Sequence, residues 1–120
     1  MSDEFIRVAT KEIIEELDEI KKIIDICEND SDVSKNCKDI EKHTHKIKGL
    51  APMMDKPNVG TISLLNDKLL KLIIEGKSIS GIFEIIFESN ELMKQDMLGT
   101  KINAEALIHK INENYSEFLD

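Results

Sequence analysis

His45, Lys46, Ile47, Lys48 and Gly49 follow one another near the middle of the chain. A neutral imidazole nitrogen is a nucleophile, and an unperturbed imidazole has a pKa of about 6.5, so much of it is neutral at pH 7. In a helix, residues three and four apart share a face, which sets Glu41, Lys42, Lys48 and Gly49 beside His45. Lys48 brings an ammonium within reach of anything negative attached to the ring. Gly49 costs the helix about 1 kcal/mol relative to alanine. Its missing side chain leaves the imidazole uncovered, so that a partner can approach closely. A carboxylate bonded to the other ring N–H would fix the tautomer and raise the basicity of the attacking nitrogen. These residue types suit a histidine that accepts a phosphoryl group, the charge of the resulting phosphoramidate being offset by Lys48. Spacing alone also admits a surface histidine among lysines, with a glycine near a helix end.

Other residues offer less. His43 lies two positions before His45, about 200° away on the helical wheel, so the two cannot chelate one metal from a regular helix. His109 reads as a surface or edge residue of the last helix, and Met53, Met54, Met93 and Met97 as core filler. Cys27 and Cys37 flank a polar turn and fall on apolar stripes, which favours two reduced core cysteines over a disulfide. No second cysteine pair completes a metal set, and no G-x-x-x-x-G-K-[ST] loop is present to cradle a nucleotide. The expectation is a chain with no metal site and no cofactor of its own.

The elements that must position His45 are helical. Glycine and proline are scarce among the 120 residues, and the apolar positions recur by threes and fours. A first helix runs from about Asp3 to Glu28 on the stripe Ile13, Leu17, Ile20, Ile24 and Cys27. Asn29 to Asp32 make a polar turn. A second helix, about Val33 to Ala51, carries His45 next to the stripe of Val33, Cys37, Ile40, Thr44, Ile47 and Ala51, and Pro52 ends it. Being about 100° round from Thr44, His45 should sit at the edge of the packed face, partly open to solvent.

After a short connection, Pro57 opens a third helix that Gly76 stops. There Ile62, Leu65, Leu69, Leu72 and Ile73 form the stripe, while Leu64, Leu70 and Ile74 lie off it and either pack on neighbours or form a docking patch. Ser78 or Ser80 caps a fourth helix from Gly81 to about Leu98, and Asn103 caps a fifth that ends near Leu119. Short connections between long amphipathic helices predict an all-α, antiparallel four-helix bundle over about residues 3–98, with an additional C-terminal helix over about 103–119. The whole of 1–120 reads as one domain.

Charge narrows the partners. The formal net charge is -8, a poor match for nucleic acid. Residues 1–32 carry four cations against eleven acids, whereas residues 33–56 carry six lysines against three acids, so the second helix is locally basic. No 18-residue apolar run is present and the start, Met1-Ser2-Asp3-Glu4, has no apolar signal segment, which points to a cytoplasmic protein without a membrane partner.

His45-Lys46-Ile47-Lys48-Gly49, with Leu50-Ala51 after it, resembles the phosphorylation motif of histidine phosphotransfer (HPt) domains. Met53-Met54, Leu64 to Leu70 and Glu75-Gly76-Lys77 extend the likeness to the N-terminal phosphotransfer domain of CheA-type chemotaxis kinases. The resemblance implies that His45 is the phosphoacceptor, that Lys48 stabilises the phosphoryl group and that Gly49 keeps the ring accessible. It also implies that a carboxylate on the third helix, here Asp67 in place of a glutamate, bonds the imidazole. Leu64 stands where that family has a second histidine, and Pro52 where it has a small residue. A separate histidine kinase domain holding ATP would donate the phosphoryl group. The aspartate of a CheY-like response-regulator receiver domain, with its Mg²⁺, would take it. The domain alone would be a phosphoacceptor rather than a catalyst. A stand-alone phosphorelay protein and a non-catalytic helical adaptor with a coincidental H-x-x-K-G are the alternatives.

Overall fold

Helix α1 (Asp3–Asp25) begins where the Ser2 hydroxyl accepts the N–H of Phe5 at 3.1 Å, with Asp3 and Glu4 facing the positive end of the helix dipole. In this computed structural model, which describes residues 2–119, every regular element among those residues is helical. The described residues hold seven α-helices: α1, α2 (Asp30–Lys35), α3 (Cys37–Leu50), α4 (Pro57–Ile74), α5 (Ile82–Met97), α6 (Glu105–Asn114) and α7 (Ser116–Leu119). A 3-10 turn, Ala51–Met54, joins α3 to α4.

Several boundaries depart from the periodicity. α1 stops at Asp25 rather than Glu28, although Cys27 still packs in the core. The second predicted helix is two helices, broken at Asn36. The Asn36 amide donates to the Asp32 carbonyl at 2.9 Å, so a side chain competes for the backbone there. Val33, Cys37 and Ile40 stay buried on both sides of the break, which is why the apolar pattern runs through it unmarked. The last predicted helix is likewise divided at Tyr115. Tyr115 turns out of α6 and its hydroxyl donates to the Ser80 carbonyl at 2.6 Å.

Capping of α5 differs from expectation as well. Neither Ser78 nor Ser80 caps it. The carboxylate of Asp30, at the start of α2, accepts the N–H groups of Gly81 at 2.9 Å and Phe83 at 2.8 Å. Gly81 takes φ 86°, a left-handed value that side-chain-bearing residues rarely adopt. Asn103 does accept the N–H of Glu105 at 3.2 Å, from two residues before α6, the cap position itself being Ala104. Gly76 ends α4 as predicted, at φ 105°, its N–H bonded to the Ile73 carbonyl and that of Lys77 to the Leu72 carbonyl.

α3 packs most extensively on α4, α1 packs on α3 and α5, and α4 packs on α5. The enclosed core is mainly isoleucine and leucine, with Ile13, Leu17, Ile40, Ile47, Ile62, Leu69, Leu70 and Ile82 sealed from solvent. Thr44 is buried on α3, its hydroxyl returned to the Ile40 carbonyl at 2.8 Å. The sealed Ile47 and Thr44 therefore fix the rotation of α3, and that rotation turns His43 toward α1 and His45 toward α4. No helix among the described residues is long and apolar enough to cross a membrane.

Candidate functional site

His45 stands on α3 with its side chain 56% exposed. Its Nδ1 lies 3.4 Å from Oδ2 of Asp67 on α4 and 3.7 Å from Oε2 of Glu41, one turn earlier on α3. With Nδ1 engaged by carboxylates, Nε2 is the nitrogen left to react. A side chain at Gly49 would meet nothing within 4 Å, so the space beside the ring one turn on is open.

Asp67 is the hub of the site. It is 1% exposed, held on the inner side of α4 among Asn66, Leu69 and Leu70, which are also buried. Its Oδ2 accepts from Lys48 Nζ at 2.8 Å and from Lys71 Nζ at 3.0 Å, beside the contact to His45. Burial is the strongest single influence on Asp67 and pushes its pKa up. Hydrogen bonds with Glu41, Lys48, Lys71 and His45 together outweigh it, so the carboxyl titrates far below its ordinary range. Glu41 moves the other way. Its hydrogen bond to Asp67, then its own burial, raise its pKa above the ordinary value. Each of two facing carboxyls disfavours the other's charge, which pushes Glu41 up, while Asp67, bonded by two lysines, is pushed down. Lys71 has a raised pKa because it bonds Asp67.

A second histidine has a carboxylate of its own. His43 Nδ1 lies 2.9 Å from Glu16 Oε1 on α1, and Lys46 Nζ is 3.4 Å from the same oxygen. Both partners are largely enclosed, the side chains being 13% and 10% exposed. Burial pushes the Glu16 pKa up, but the hydrogen bond and charge of His43, and then those of Lys46, bring it below its ordinary value.

Spacing named His45, Lys48 and Gly49, the family resemblance added Asp67, and the fold brings all four to one seam between α3 and α4. Sequence reasoning did not find Lys71, Glu16 or the part played by Glu41. Glu41, four residues before His45, was visible beside it but not its tie to Asp67, and Lys71, four residues after Asp67, was visible only once the hub was known. Glu16 carried no signal, because it is an acid on an acidic helix. His109 is exposed, 3.3 Å from Glu113. Met54, Met93 and Met97 are buried as expected of core filler, but Met53 is exposed. Leu70 packs inward, whereas Leu64 and Ile74 face solvent on the outside of α4. Cys27 and Cys37 are free and buried.

No family model, no curated protein and no solved structure matches this chain.

Proposed function

We propose that this chain is a histidine phosphotransfer domain in which His45 carries the phosphoryl group. The observation that carries the reading is the pairing of His45 Nδ1 with the buried Asp67 carboxylate while the ring stays more than half exposed beside an open Gly49. In the proposed reaction, the Asp67 carboxylate holds the proton on Nδ1. The Nε2 lone pair then attacks the γ-phosphorus of ATP bound to a kinase domain. An N–P bond forms, the P–O bond to ADP breaks, and its electrons leave with ADP.

The ring gains positive character as that bond forms, and the carboxylate behind Nδ1 stabilises it. Lys48 is 28% exposed and reaches Asp67 from the solvent side, from where its ammonium can turn to the phosphoryl oxygens. In the second half-reaction a receiver aspartate attacks phosphorus and the N–P bond breaks, returning the electrons to Nε2. Catalytic metal and nucleotide belong to the partner domains in this scheme.

In the same reading α1, α3, α4 and α5 form the antiparallel four-helix bundle of an HPt domain, with α2 as part of its second arm and α6 and α7 added at the end. The exposed Leu64 beside the site gives a receiver an apolar surface to rest on. CheA-type kinases, working in the cytoplasm, are the setting that the sequence resemblance suggests.

The test is to incubate the chain with ATP and a histidine kinase catalytic domain, and to look for acid-labile, alkali-stable label. Label that disappears in His45→Gln supports the reading. Absence of label, or label that survives His45→Gln, overturns it and favours a non-catalytic adaptor.

A further inference from the structure

Glu41, His45 and Asp67 bring one ligand atom each to a single place, all within 4.8 Å of one another. Asp67 adds a second, independent mark. Its Oδ1 is buried and has no hydrogen-bond donor among the described residues. A buried carboxylate oxygen without a donor is costly. Two carboxyls and a ring nitrogen that face one another offer a cation three ligand atoms.

A zinc-class ion suits them. Zn²⁺ takes imidazole nitrogen and carboxylate oxygen at about 2.0–2.2 Å, usually with four ligands. Tetrahedral bonds of that length set ligand atoms about 3.4 Å apart. The contacts to Nδ1, 3.4 Å from Asp67 and 3.7 Å from Glu41, are already near that spacing. Glu41 and His45 supply a chelating pair one turn apart, Asp67 supplies a third ligand from α4, and water completes the set. Lys48 and Lys71 hold the same Asp67 oxygen at 2.8 and 3.0 Å and must turn outward to solvent for the ion to enter.

We propose that Glu41, His45 and Asp67 form a binding site for a zinc-class divalent cation, and that the bound ion switches off His45 as a phosphoacceptor. The second half rests on the phosphotransfer reading. Coordination uses the Nδ1 lone pair, so the one remaining ring proton moves to Nε2. That nitrogen then has no lone pair to attack phosphorus. Nδ1 gives its proton to water while Nε2 takes one, so the ring itself stays neutral. No bond to phosphorus is made or broken by the ion. Lysines at the seam make the site weaker than one built of acids alone, which fits a reversible control better than a permanent structural ion.

Zn²⁺ titration of the chain with no phosphodonor present tests the site, by calorimetry and by nitrogen shifts of the histidine rings. The expected result is one equivalent bound and the Nε2–H tautomer at His45. Glu41→Gln should weaken binding about tenfold or more, and His109→Gln, which removes the exposed His109–Glu113 pair, should leave it unchanged. Asp67→Asn provides a second ligand variant should Glu41→Gln disturb the fold. Absence of saturable binding, binding that depends on His109 instead, or equal binding of Mg²⁺ would overturn the site.

Uptake of phosphoryl from phosphoramidate, with and without saturating Zn²⁺, tests the switch. Equal uptake would overturn the switch while leaving the site standing. A chain that binds Zn²⁺ but takes up no phosphoryl in its absence would sink the phosphotransfer reading and not the cation site.

Discussion

Two H-x-x-K sets overlap on α3, and the molecule treats them in opposite ways. His43 and Lys46 reach Glu16 on α1, while His45 and Lys48 reach Asp67 on α4. Each has an imidazole with Nδ1 on a buried carboxylate and a lysine one turn on. The two-residue offset rotates one set about 200° from the other, so they face different helices. What differs is cover. His43 is nearly enclosed and the residue four after it, Ile47, is fully buried. His45 is open and the residue four after it is Gly49, where an added Cβ would meet no neighbouring side chain within 4 Å. The same chemical groups make an enclosed clasp between helices in one place and a ring open to solvent in the other. Accessibility, more than the carboxylate partner, separates them.

The largest effect should come from exchanging the histidines. His45→Gln is expected to abolish phosphoryl uptake, while His43→Gln keeps it but loses about 1–3 kcal/mol of stability by stranding buried Glu16. Labelling assays and urea melts on the two variants read both outcomes, and equal labelling of the two would break the comparison. Next come the carboxylates. Asp67→Asn should slow phosphoryl uptake about 10–100-fold, because the ring loses the acceptor that orients it. Glu16→Gln should leave the rate within about twofold and act on stability alone.

Acid should weaken both sets in the same direction. Asp67 and Glu16 have native pKa values below their ordinary ones, so each adds stability that is present above the unfolded value and lost as pH falls through the native one. Unfolded Asp and Glu titrate near about 3.9 and 4.3, so melts should lose stability as pH drops below about 4. Glu41, raised, works the opposite way: its contribution is present below about 4.3 and fades as pH rises through its native value. An acid limb as steep in Asp67→Asn as in the parent chain would show that the Asp67 network is not a source of the loss. The smallest effect concerns cover itself. Gly49→Ala should raise stability by about 0.5–1 kcal/mol and leave uptake intact, since a methyl there meets nothing, whereas Gly49→Leu should slow it. Rapid uptake by the leucine variant would mean that the gap at Gly49 has no part in access.

Much of this was legible in the chain. Ile and Leu at threes and fours defined the helical faces, and Pro57 and Gly76 marked the ends of α4 correctly, because those signals are local. The break at Asn36 was not legible, since the core accepts Val33 and Cys37 from either side of it. Nor was the cap of α5, which comes from Asp30, 51 residues before Gly81. At the site, His45, Lys48 and Gly49 were readable as one face of one helix. Asp67 followed from the resemblance to phosphotransfer domains and not from spacing. The clasp of His43 on Glu16, and the carboxyl pair of Glu41 and Asp67, depend on how α1 and α4 lie against α3. No pattern within a single helix carries that.

The central claim is that phosphoryl goes to Nε2 of His45 and leaves His43 untouched. The direct measurement is nitrogen and phosphorus NMR of the chain after phosphorylation, with every histidine ring assigned. The account predicts a phosphorus coupling to Nε2 of His45 alone, with the proton on Nδ1 facing Asp67. Phosphorus on His43, on Nδ1 of His45, or on no histidine would contradict it.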